Sequence, residues 1–232
     1  MWIFPLLAAI LALDFAFILS RQFLKRRRPH QLLWAVALLQ FAAASFAVFL
    51  GRLGGWTSGE FKTYWLLGAV LTVPFLALGE LYLLVRRHEI TSVLLLVLLF
   101  GTAFALARVR TAHLAMSALH TELPSGNDAF RSDSFVLDMA RYYSIAAYVV
   151  LVAGTVWSAW RMRGRPDQRD RFVGTLGVAL GTTIVAAGSA FAATGNATGF
   201  SLTLAAGLAV MVWGFLRASR RPATSRSSPF GF

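Results

Sequence analysis

The 232 residues are 57% hydrophobic and only 14% charged, yet they carry a formal charge of +12. Soluble domains hold about a quarter charged residues, and here the apolar excess falls in long blocks separated by short arginine-rich ones, which excludes an ordinary water-soluble domain. The lack of cysteine excludes disulfides, thiolate metal sites, CxxC redox motifs and cysteine nucleophiles.

An α-helix needs about 20 mostly apolar residues to cross hydrocarbon. Seven stretches meet that need and predict an all-α bundle of seven transmembrane helices, at 2–20, 31–50, 63–85, 90–108, 142–160, 172–193 and 199–216. Lys and Arg translocate poorly beside a span. Sixteen of the 22 fall on one side, in the runs 21–28, 86–87, 161–171 and 217–226, and six on the other. This asymmetry predicts an outside N-terminus and a cytosolic C-terminus, and the dominance of arginine over lysine points to the plasma membrane of a bacterium with a GC-rich genome. The basic excess then sets topology and touches anionic lipid headgroups, each near-surface charge contributing about 1 kcal/mol. Divided among loops, it forms no nucleic-acid patch, and no nucleic-acid partner is expected.

In chain order, the first span has no basic segment before it and a stop-transfer cluster after it, so it reads as retained rather than as a cleaved signal peptide. It carries Asp14; the second carries Gln40; the third carries Thr72, Pro74, Glu80 and Tyr82. An ionised side chain at mid-bilayer costs at least about 2.5 kcal/mol, so Asp14 and Glu80 are the main functional pointers. Counted from the arginines that follow Asp14 and Glu80, and from the start of the second span for Gln40, the three are expected to share one layer in the inner half of the membrane, with Thr72 and Tyr82 as hydrogen-bond partners and Pro74 freeing a backbone carbonyl nearby. Such a layer suits a polar ligand pocket or a proton- or cation-responsive site, and equally a hydrogen-bonded clamp between helices.

The connection 109–141 is the sizeable exposed segment: Val109 to Leu123 suits an interfacial or extended helix, and Pro124 to Asn127 suits a turn. His113 and His120 read as surface histidines of this segment, and no metal is expected. In the sixth span Gly174, Gly177, Gly181 and Gly188, and in the seventh Gly207 and Gly214, form small-residue stripes that let helix backbones approach closely. Residues 219–232, rich in Ser, Arg and Pro, are expected to be a disordered basic cytosolic tail. Arg26 to Gln31 and Arg163 to Gln168 share the pattern R-x-R-P-x-Q, each between the first two spans of a triplet, which fits a parallel duplication of three helices either side of the fourth or the plain recurrence of basic inner loops.

The elements R-R-R-P-H-Q-L-L-W-A-V-A-L-L, G-G-W-T and Y-W-L-L-G-A-V-L-T-V-P-F-L-A-L-G-E-L-Y-L-L, within Arg26 to Arg87, resemble a group of uncharacterised seven-span membrane proteins of actinobacteria and related bacteria. More distantly they are similar to the seven-span sensory region of bacterial histidine kinases, although the kinase output domain is not expected here. The resemblance implies a seven-span fold and carries no functional residue.

The last span offers no lysine for a retinal Schiff base, and no G-x-S-x-G, H-E-x-x-H or phosphate-cradling glycine loop occurs. Asn196-Ala197-Thr198 reads as a chance match to a glycosylation sequon beside the bilayer. The expected function is therefore non-enzymatic and without cofactors: a ligand-responsive module, or an accessory subunit of a larger membrane protein complex. The alternative is a small proton- or cation-coupled transporter with its polar site in spans one to three.

Overall fold

The computed structural model describes residues 3–85, 87–131, 133–163 and 169–218. The tail 219–232 and most of the second R-x-R-P-x-Q element lie outside the described residues. All regular structure among them is helical. Helices α1 (Ile3–Arg26) and α2 (Pro29–Gly54) form a hairpin. A third long run combines α3 (Ser58–Thr63), a π-helix (Tyr64–Leu71) and α4 (Thr72–Leu84). Helix α5 (His88–Thr111) follows, then a 3₁₀ turn (Met116–His120), the short α6 (Gly126–Ala129), and α7 (Ser134–Met162), α8 (Arg169–Ala193) and α9 (Ala197–Ala218). Seven of these runs are long and apolar enough to cross a membrane, so the chain is an integral membrane protein of seven helices.

Each predicted stretch coincides with one of these helices, but the helices are longer. Apolarity stops at the first charge, whereas the backbone ladder continues until a turn residue intervenes. The largest extension is α7, which begins at Ser134 rather than near residue 142. The turns have local causes. Arg27 adopts a left-handed φ of 50° while its N–H closes on the Phe23 carbonyl at 2.7 Å, and Pro29 then opens α2 with a preset φ. Thr57 and Glu60 form a reciprocal capping box at the start of α3. Asn196 caps α9 by accepting the Gly199 N–H at 2.9 Å, so its side chain has a structural role in the turn.

Six of the long helices close into a ring in the order α1, α2, third run, α7, α8, α9 and back to α1. Helix α5 lies outside that ring against the third run, with Phe100 77% exposed and Leu96 66% exposed. The tightest seam joins α8 and α9. A Cβ on Gly181 would stand 2.5 Å from the Gly207 carbonyl oxygen, and one on Gly214 would stand 2.6 Å from the Gly174 oxygen. Gly177 faces Gly214 and Gly188 faces Thr203 along the same seam. Small residues here put backbone against backbone, which is how helices gain contact in lipid where no hydrophobic effect drives them together.

One end of the ring carries the turn at Arg26–Arg28 and Arg87 and is called the basic end; the other, the loop end, carries residues 112–131. That segment differs from its expectation. Helix α5 stops at Thr111, and the chain folds back over the bundle with Leu119, Leu123, Ala129 and Phe130 buried rather than exposed. The reason is an aromatic cluster on the third run. Phe61 and Phe130 are both fully buried with ring centroids 5.6 Å apart, Trp65 lies tilted against Phe130 at 5.3 Å, and Trp56 donates its indole N–H to the Glu122 carbonyl at 3.1 Å.

Candidate functional site

The third run supplies the site. Its π-helical register widens the backbone between Tyr64 and Leu71, as π segments at functional sites commonly do. Thr72 shows the i−5 pattern directly: its N–H and its hydroxyl both reach the Leu67 carbonyl, the hydroxyl at 2.6 Å. The i+5 neighbour of Ala69 is Pro74, which has no N–H to give. The Ser144 hydroxyl on α7 donates to the Ala69 carbonyl. Ser144 thus ties α7 to the backbone of the third run close to Pro74.

The widened run, with α2, α7, α8 and α9, encloses a cavity of about 480 Å³. Its walls are mostly apolar, from Phe41, Val48, Val73, Val185 and Leu204, with hydroxyls of Ser45, Thr72, Ser144 and Tyr148 among them. The lining of α2 runs from Leu38 to Val48, so the cavity extends about 15 Å along the helix axis. At the loop end it is covered by Pro124 to Asn127, and the Trp65 ring packs against Gly126 with its indole nitrogen buried and unpartnered among the described residues. Between α7 and α8 the wall is made by Ile145 and Ser189, both also exposed on the outside of the bundle. Nearer the basic end, Tyr148 and Thr183 close that gap with a 3.2 Å hydrogen bond.

A second, smaller chamber of about 40 Å³ continues the cavity toward the basic end. Leu38, Leu76, Thr182 and Met211 line both spaces and form the partition between them. Glu80 lies in this chamber, 4% exposed, where all six ring helices converge. Gly154 on α7 makes room for it, since a Cβ there would stand 2.8 Å from the Glu80 Cγ. Among the described residues nothing hydrogen-bonds or ion-pairs with the Glu80 carboxyl. Thr182, the nearest hydroxyl in the lining, donates to its own Val178 carbonyl at 2.9 Å. Three aromatic rings complete the chamber: Phe15 and Phe215 meet edge to face at 4.6 Å, and Trp34 lies 6.4 Å from Phe215.

The other residues singled out in the sequence do not join Glu80. Asp14 is exposed on the outward face of α1, between Ile10 and Phe17, which are 47% and 57% exposed. It stands twelve residues into a helix of 24, about 17 Å from either end. Gln40 is half-buried, and its Oε1 has no partner among the described residues. Trp34 fixes its level: the Trp34 indole donates to the Leu76 carbonyl at 3.1 Å and packs on Gly79, so Glu80 is level with Trp34, while Gln40 lies six residues, about 9 Å, further along α2. The three polar groups therefore do not form one layer. Thr72 lines the large cavity, and Tyr82 packs half-buried against the core. Among the described residues no group of three His, Asp or Glu could hold a metal ion.

The sequence contained a signal that separates Asp14 from Glu80. Ala8, Ala12, Phe15, Ala16 and Leu19 mark the packed stripe of α1, and Asp14 falls on the opposite side. What periodicity does not reveal is the cavity, which comes from the π-helical widening and from which helices are neighbours. No family model, curated protein or solved structure matches the chain.

Proposed function

We propose that this protein is a ligand-responsive module of a bacterial plasma membrane, with its N-terminus outside and C-terminus in the cytosol, whose ligand dissolves in the bilayer and occupies the cavity between α2, the third run and α7 to α9. The observation that carries this reading is the cavity itself. About 480 Å³ is within the ordinary range of small-molecule sites, and apolar walls with a few hydroxyls are their usual composition. The lid over the loop end and the exposed wall residues Ile145 and Ser189 favour access from lipid between α7 and α8. The test is photolabelling of the purified protein in nanodiscs with a diazirine-bearing dodecanol. Label is expected on residues lining the cavity and is expected to fall several-fold in Ala186→Trp, which fills the α7–α8 opening. Label confined to the outer surface, for example around Phe100, would overturn the reading.

A second role, as an accessory subunit docked on a larger membrane complex, is favoured by Asp14. A lipid-facing carboxyl at mid-helix is costly unless another chain covers it. Every Lys and Arg of this chain lies outside the seven predicted apolar stretches or at the end of one, so a second copy brings no cation, and the partner is a helix with its own basic side chain at that depth. Native gels of the source membranes should show the wild-type protein in a larger assembly and Asp14→Asn released from it. Equal migration of both would refute this role. The transport alternative relied on Asp14, Gln40 and Glu80 lining one path, and their separation removes that support.

A further inference from the structure

The chamber at the basic end of the large cavity sets a single ionisable side chain, Glu80, among apolar ones, and that chemistry specifies the head of the ligand. We propose that the Glu80 chamber receives a primary ammonium group, so that the ligand is an amphiphilic amine with its apolar chain in the large cavity; this rests on the cavity being a ligand site. A buried carboxyl with no donor around it is one half of an interaction. The complementary half must bring N–H donors and positive charge, and the lining includes the aromatic rings of Phe15, Trp34 and Phe215, a class of side chain that attracts cations.

The same surroundings reject the other head groups. In the chamber a carboxylate or phosphate would meet Glu80 as a like charge, with no Lys or Arg there to offset it, since Arg141 lines the large cavity nearer its loop end. A hard metal cation needs six or so oxygens, and here Glu80 offers two beside a hydroxyl already committed to Val178. The volume of about 40 Å³ is room for a few water-sized groups, which favours a compact –NH₃⁺ over a bulky trimethylammonium. The partition between chamber and cavity includes Met211, an unbranched side chain that moves aside readily. At the far end of the cavity the tail of the ligand meets the unpartnered indole N–H of Trp65, with Asn127 and Arg141 also in the lining.

The test competes dodecylamine, dodecanol and dodecanoate against the diazirine dodecanol probe, in nanodiscs of uncharged zwitterionic lipid so that headgroups do not concentrate the amine. Dodecylamine is expected to displace the probe at a concentration at least tenfold below dodecanol, with dodecanoate weakest. Glu80→Gln should bring the amine to the level of the alcohol and leave the alcohol unchanged. Equal potency of amine and alcohol on the wild-type protein, a comparison that needs no variant, would overturn the ammonium assignment while leaving the cavity reading intact. So would an amine preference that survives in Glu80→Gln. A probe that never labels the cavity would refute the cavity reading instead.

Discussion

Gly181 carries a clear energetic consequence at the scale of single residues. Its absent side chain is replaced by the Gly207 carbonyl of the neighbouring helix, and backbone atoms cannot swing aside as a long side chain can. Gly181→Ala should therefore separate α8 from α9 and destabilise the protein by about 1–3 kcal/mol, read as a lowered midpoint of unfolding in mixed micelles. Gly59→Ala is the control, because nothing stands within 4 Å of a Cβ there, and it should be neutral or stabilising by up to about 1 kcal/mol. The glycines were legible in the sequence as a stripe, and so was the isolation of Glu80 in an apolar run. The difference in fate between Glu80 and Asp14 was written less openly. Two lone carboxylates look alike until the alanines of α1 are used to decide which side of that helix is packed.

Among the elements, the third run departs most from a plain apolar helix. Its π register ends three residues before Pro74, which has no N–H to give, and Ser144 from α7 donates to the Ala69 carbonyl at this break. Ser144→Ala should cost about 0.6 kcal/mol, and no more than about 1.7 kcal/mol, the span measured for hydrogen bonds between membrane helices. Pro74→Ala adds a backbone N–H five residues on from the same carbonyl. In that background the loss of Ser144 should cost close to nothing, and a double-mutant cycle in denaturing micelles measures the difference. Equal costs in the two backgrounds would mean that Ser144 acts through something other than the Ala69 carbonyl. Sequence periodicity located this run and its proline, but a π segment has no compositional mark. Its presence follows from how α7 and the aromatic cluster grip the helix, and those contacts are long-range.

For the whole molecule, the count and order of the seven helices were legible from hydropathy alone, because only satisfied backbone crosses lipid and each apolar block had to be one helix. The folding of 112–131 over the bundle was not, since its burial depends on aromatic residues some 60 positions earlier in the chain. The proposed orientation can be measured directly, as the chain has no cysteine to interfere. Thr121→Cys should react with a membrane-impermeant maleimide on intact cells, and Arg27→Cys only after permeabilisation; the reverse pattern would invert the topology. The place of α5 outside the ring has a further consequence for wiring. Successive spans alternate in direction, so the third run and α7 run the same way, as do α9 and α1, and each of these pairs touches across the ring. Two parallel helices cannot be joined by a short turn, because the chain leaves the first on one face of the membrane and must begin the second on the other. Helix α5 is the return passage that makes the join possible, and its duty is to carry the chain back rather than to build the wall. A helix with that duty needs length and apolarity but little packing, which accounts for how much of its surface is left to the lipid.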